Sequence, residues 1–149
     1  MARNYTVQTK ILKPVAEVFD AIVSSDKLCN YFTDQASGDL EEGKEIQWHW
    51  DHYDPWLPVV VDRIIANERI ELTLDSAKWE KTRSEAYPVK VIFEFEQLDE
   101  NTTMLSISEE GWKTDADGLR GSHENCGGWS HTQMSLKAWL EHGIDPVSY

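Results

Sequence analysis

From the fourth residue the chain alternates. Tyr5, Val7, Thr9 and Ile11 interleave with Asn4, Thr6, Gln8 and Lys10, the period of a half-buried strand. Pro14 then suits a first helical position, and Val15, Val18, Phe19 and Ile22 recur at helical spacing. Ser24-Ser25-Asp26 ends that helix and caps a second short one carrying Leu28, Tyr31 and Phe32. A turn region at residues 38–43 precedes a strand in which Ile46, Trp48 and Trp50 alternate with Gln47, His49 and Asp51. Asp54-Pro55 breaks this strand, and residues 56–65 form the next. Asn67-Glu68 makes a hairpin turn into Ile70, Leu72 and Leu74. Residues 76–87 are polar without a period and read as a loop. Val89, Val91, Phe93 and Phe95 form another alternating strand, which Asp99-Glu100-Asn101 turns into Leu105, Ile107 and Glu109. Residues 111–128, rich in Gly, Asp and Ser, read as a loop with at most a short helical turn. The final segment is helical. Trp129, Gln133, Leu136 and Leu140 fall on one stripe with Thr132 and Trp139 at its margins, and Gly143 and Pro146 stop it. Strand, two helices, a run of antiparallel strands and one long helix predict an α+β fold.

Length and charge narrow the picture. The 149 residues predict one domain, 1–149, with a sizeable core. The longest apolar run, residues 57–61, is interrupted by Pro58, far short of the roughly 20 residues a membrane helix needs. No signal-like apolar stretch opens the sequence, so a cytoplasmic location is expected. Cys29 and Cys126 are too few for a disulfide framework and read as free thiols. The net charge of −13 predicts no nucleic-acid and no anionic-membrane partner, since both are polyanions. Seven tryptophans exceed what packing in a domain of this size requires, and they change the functional reading.

Alternation puts Ile46, Trp48 and Trp50 on the inward face and His49 outward. With Trp56, Tyr31 and Trp129, these rings are candidates for the lining of a cavity that binds a small hydrophobic or aromatic molecule, each indole leaving an N–H to fix a polar group. The alternative, that they only fill the core, stays open. Glu109 is in phase with Leu105 and Ile107 and is expected to face inward. A carboxylate there would have its pKa raised and could act as acid, base or ligand anchor, unless it reaches solvent or pairs with Arg120. No metal or cofactor is expected. His123, Cys126 and His131 lack zinc-site spacing and a fourth ligand, and Asp51, His52 and Asp54 are equally loose. Phosphate-loop, nucleophile-elbow and zinc-protease motifs are missing. Ser130 and His131, adjacent on a helix, diverge and make no nucleophile–base pair. No catalytic residue is assigned.

Several stretches resemble the START/Bet-v-1-like (SRPBCC) superfamily, and within it the group of homologues of the activator of heat-shock-protein-90 ATPase. They are Pro14-Val15-Ala16-Glu17-Val18-Phe19-Asp20-Ala21-Ile22, Ala66-Asn67-Glu68-Arg69-Ile70-Glu71-Leu72, Val91-Ile92-Phe93-Glu94-Phe95, Thr103-Met104-Leu105-Ser106-Ile107-Ser108-Glu109-Glu110-Gly111-Trp112, Gly128-Trp129 and Leu136-Lys137-Ala138-Trp139-Leu140. The resemblance implies a helix-grip fold, a curved antiparallel sheet around the long C-terminal helix with a cavity between them. It departs from the family at Ile22-Val23, at Cys29-Asn30-Tyr31-Phe32 and over residues 49–58, where the cavity mouth is expected. The leading expectation is a non-enzymatic binder. The alternatives are a lyase or cyclase acting on a polyketide-like or aromatic substrate, with Glu109 converging on one point with Tyr31, His131 or another polar group, and a chaperone-regulating interaction module. A homodimer and, through the resemblance alone, a chaperone partner are open.

Overall fold

The computed structural model describes residues 2–82 and 85–145. The expected alternations become β1 (Arg3–Ile11), β3 (Glu45–Trp50), β4 (Tyr53–Ile65), β5 (Arg69–Asp75), β6 (Pro88–Asp99) and β7 (Thr102–Glu110), with a two-residue β2 (Gln35–Ala36) added. Between β1 and β2 lie α1 (Val15–Val23) and α2 (Ser25–Leu28), and α3 (Ala116–His142) follows β7. All pairings are antiparallel, in the order β1-β7-β6-β5-β4-β3-β2. The first strand thus closes against the last, with Val7 opposite Ile107. Asn67, at φ 63°, takes the left-handed conformation that the tight β4–β5 turn requires and that Asn tolerates well.

One face of this sheet carries Val91, Phe93, Leu105 and Ile107, all buried, and α3 lies across it. Trp129 meets Phe93 edge-on at 5.5 Å between ring centres. Leu136 is buried and Leu140 half-buried. Gln133, also buried, is admitted because its Nε2 donates to the Val7 carbonyl at 2.9 Å. Val18, Ala21 and Ile22 of α1 join the same core. This is the helix-grip arrangement, and it confirms the expected fold class.

Three local expectations are corrected. Helix α3 begins at Ala116 rather than Trp129, so much of the stretch read as loop is helical. Its first half buries Gly118, Gly121, Ser122 and Asn125, a small and polar face that hydrophobic periodicity does not register. Close approach demands the small residue at Gly121, where an added Cβ would stand 2.7 Å from the Trp112 ring and 2.9 Å from the Lys81 carbonyl. Asp115 caps the helix by accepting from the Gly118 N–H at 2.7 Å. Gly143 ends it at φ 67°, while Pro146 lies outside the described residues.

The second correction concerns the break placed at Asp54-Pro55. The chain turns at Asp51–His52 instead, and Pro55 sits inside β4. Trp50 pairs with Tyr53 and Trp48 with Leu57, so residues 54–56 oppose His49 alone in a bulge. A bulge is where a strand tolerates proline, which has no N–H for the ladder. The third lies in the polar stretch after β5, which folds back to bury Trp79.

Candidate functional site

Between α3 and the β3–β4 end of the sheet lies a cleft of about 580 Å³. Its aromatic wall is Tyr31 and Phe32 after α2, Trp50 and Tyr53 of the β3–β4 hairpin, Trp79 after β5, and Trp129 of α3. Asp34, His52, Glu80, Lys81, Glu124 and His131 add polar groups, and Gly128 leaves a stretch of bare helix backbone. The rings are fixed by one another. Phe32 lies 5.1 Å edge-on to Trp50 and 5.4 Å from Trp129, and Trp79 lies 6.2 Å edge-on to Trp50. Such geometries add about 0.5–1.5 kcal/mol per pair beyond buried area.

The indole N–H groups were expected to be free for a ligand; for Trp50 and Trp129 the structure corrects this. Trp50 Nε1 donates to the Phe32 carbonyl and Trp79 Nε1 to the Pro58 carbonyl, both at 2.8 Å. Trp129 Nε1 donates to Glu109 Oε2 at 2.8 Å. Trp79 reaches its place through Glu80, whose φ of 54° is unusual for a residue with a side chain. The Tyr53 hydroxyl donates to that same Glu80. Burial, and then the Glu80 carboxylate, push the Tyr53 phenol up to about 12.

Glu109 faces inward as expected but is fully buried behind the wall rather than exposed in it. Trp112 Nε1 donates to Oε1 at 2.7 Å, and Asn125 Nδ2 joins Trp129 at Oε2, at 3.0 Å. Tyr5 approaches from β1. Its hydroxyl has no partner of regular bond geometry among the described residues, yet burial and then the Glu109 charge raise its pKa far above the ordinary value. Burial pushes the Glu109 carboxyl up and the surrounding donors pull it back, leaving it raised. Arg120 is not its partner; it pairs with Asp117 and Glu124. Glu109 therefore ties α3 to the chain after β7, and holds two residues of the cleft wall, Asn125 and Trp129, in place.

Of the six residues proposed from sequence, Trp50, Tyr31 and Trp129 come together in the cleft. Trp48 faces inward but is sealed below, edge-on to Phe32 and Trp79, its Nε1 without a partner among the described residues. Glu109 stands one layer behind. Trp56 is corrected to the outer face, stacked on His49 at 4.9 Å and 41% exposed. The alternation of β4 carries that information, since Leu57, Val59 and Val61 are the buried set and Trp56 is out of phase with them. Trp79, Trp112 and Asn125 escaped notice because each sits where the local pattern is polar or glycine-rich.

Among the described residues, no three His, Cys, Asp or Glu side chains gather to hold a metal ion. No helix among them is long and apolar enough to cross a membrane. The model of one family, described as activator of Hsp90 ATPase homolog 1-like protein, matches residues 13–141. The chain belongs to that family. No curated protein matches it by sequence. Among solved structures, a protein of Staphylococcus saprophyticus is 25% identical, covering 95% of both chains at a TM-score of 0.71. The Aha1 dimer of Colwellia psychrerythraea is 20% identical over 96% of this chain and 98% of its own, at 0.73. DynU16, from the dynemicin biosynthetic locus, is 17% identical over 97% of this chain and 49% of its own, at 0.74. At these identities the last two speak for the fold alone.

Proposed function

We propose that the chain binds a small hydrophobic or aromatic molecule in the cleft between sheet and α3 and does not transform it. Gly128 carries this reading. It stands in mid-helix on the cleft wall, where glycine costs about 1 kcal/mol relative to alanine. An added Cβ there would meet no atom within 4 Å, so packing gives no reason for the missing side chain. The bare backbone of Gly128 leaves the cleft open to an occupant at this point of the wall. The volume lies within the roughly 300–1,000 Å³ of small-molecule sites, and the wall is mostly aromatic. Glu109, sealed behind Trp129 and Asn125 with both oxygens engaged, is poorly placed to exchange a proton with a ligand, which favours binding over acid–base catalysis.

The test is a titration with N-phenyl-1-naphthylamine, an uncharged fluorescent probe, which should bind saturably and quench indole emission. Gly128→Leu should abolish binding by filling the cleft while leaving thermal stability unchanged or higher, since leucine is the better helix former. Equal affinity of the variant and the native chain would overturn the proposal.

A second reading follows from the family description and the exposure of Trp56 and Val60 on the outer face of β4. If that surface engages a chaperone ATPase, Trp56→Asp should abolish stimulation of the ATPase and Gly128→Leu should not.

A further inference from the structure

We infer that the molecule held in the cleft is a small organic cation, an ammonium on an apolar or aromatic body. The inference rests on the ligand-binding reading above and deepens it.

The cleft is rich in acceptors and poor in donors. The ring N–H groups of Trp50, Trp79 and Trp129 end on the Phe32 carbonyl, the Pro58 carbonyl and Glu109. The hydroxyls of Tyr31, Tyr53 and Thr132 donate to the Ala21 carbonyl, Glu80 and the Gly128 carbonyl. The three indole N–H groups and three hydroxyls on the wall are thus already committed to protein acceptors. A carboxylate or phosphate entering the cleft would lose its water and find few donors to replace it.

Charge points the same way. Among the described residues, three carboxylates, Asp34, Glu80 and Glu124, line the cleft against one ammonium, Lys81. Lys81 is engaged with Glu124 at 3.3 Å, and Arg120 meets Glu124 from the adjoining helix surface at 3.0 Å. Asp34 and Glu80, which accept only from the Asp51 N–H and the Tyr53 hydroxyl among the described residues, set the sign of the cleft, within a chain whose net charge is −13. With their N–H groups turned to the protein, the indoles offer π systems, whose negative faces attract cations. Aromatic rings with flanking carboxylates suit a substituted organic ammonium, which is less strongly hydrated than a primary one and whose charge apolar contact alone cannot satisfy.

Three benzyl compounds separate the possibilities by indole quenching or calorimetry at low salt. They are benzyltrimethylammonium, its uncharged isostere neopentylbenzene, and the anion phenylacetate. The cation should bind at least about 10-fold more tightly than phenylacetate and no more weakly than the isostere. The double variant Asp34→Asn, Glu80→Gln should lower affinity for the cation roughly 3- to 30-fold and leave that for neopentylbenzene unchanged, the latter also reporting an intact cleft. Phenylacetate binding as tightly as the cation, the isostere binding more tightly, or a double variant with undiminished cation affinity would each overturn the inference while leaving the binding role standing. Failure of all three probes to bind would overturn both.

Discussion

Glu109 illustrates how one buried side chain acquires a task from its surroundings. Indoles can only donate, and two of them address the carboxylate from opposite sides, one at each oxygen. A glutamine there must turn its NH₂ toward one of these donors, whichever way the amide lies. Glu109→Gln should therefore destabilise the fold by about 1–3 kcal/mol, the cost of leaving a buried donor unsatisfied. Chemical denaturation of both chains checks this, and an unchanged midpoint would mean the carboxylate is not the acceptor of both indoles. As the variant loosens Trp129 and Asn125, cleft affinity should fall with stability, as expected of a positioning residue. At this scale the sequence was informative about direction only. The phase of β7 put Glu109 inside, but nothing local indicated that Trp112 and residues of a distant helix turn would close over it.

Among the elements, α3 was the hardest to read and the most consequential. Its second half shows an ordinary apolar stripe. Its first half packs through glycine, serine and asparagine, so the signal of burial is smallness rather than hydrophobicity. Gly127 and Gly128 weaken the helix in its middle, and an added Cβ meets nothing within 4 Å at either position. Gly127 does not line the cleft. Gly127→Ala should accordingly raise stability by up to about 1 kcal/mol and leave probe binding intact, measured by thermal unfolding and the same titration. The contrast with Gly128→Leu separates a helix-propensity effect from occupation of the cleft. In the β3–β4 hairpin the difference between local pattern and structure has another source. Proline reads locally as a strand break, whereas a bulge absorbs it inside a continuous strand.

For the whole molecule, two buried carboxylates set opposite trends with pH. Glu71 accepts from Lys90 at 2.9 Å and Arg69 at 2.8 Å, and these bonds hold its carboxyl below the ordinary value of 4.5. Its contribution is present above that value and is lost as pH falls through the depressed folded value. Glu109 is raised, so the folded chain binds its proton more tightly than the unfolded one does. Its effect is a loss of stability as pH rises from 4.5 through the raised folded value. Partial neutralisation of the net charge of −13 adds to the gain on mild acidification. Thermal stability should thus peak on the acid side of neutrality and fall below about pH 4. Scans across pH should show Glu109→Gln flattening the upper limb and Glu71→Gln the lower. An upper limb of unchanged slope in Glu109→Gln would remove Glu109 from this account.

The order of the elements, the faces of the strands and the apolar half of α3 were determined by the sequence itself, because a period of two or of 3.6 is a local property. Ile46, Trp48 and Trp50 share a face whatever they pack against, and the run from Val89 to Phe95 is a strand in almost any setting. The chemistry of the cleft was decided only by tertiary structure. Trp79 bonds a carbonyl 21 residues away, Asn125 and Trp129 reach a carboxylate 16 and 20 residues away, and Trp50 reaches back 18. Those bonds consume the donors the rings would otherwise have offered, and so turn a wall suited by composition to almost any aromatic guest into one that favours positive charge. Composition counts donors. Only the folded chain shows which of them are already taken.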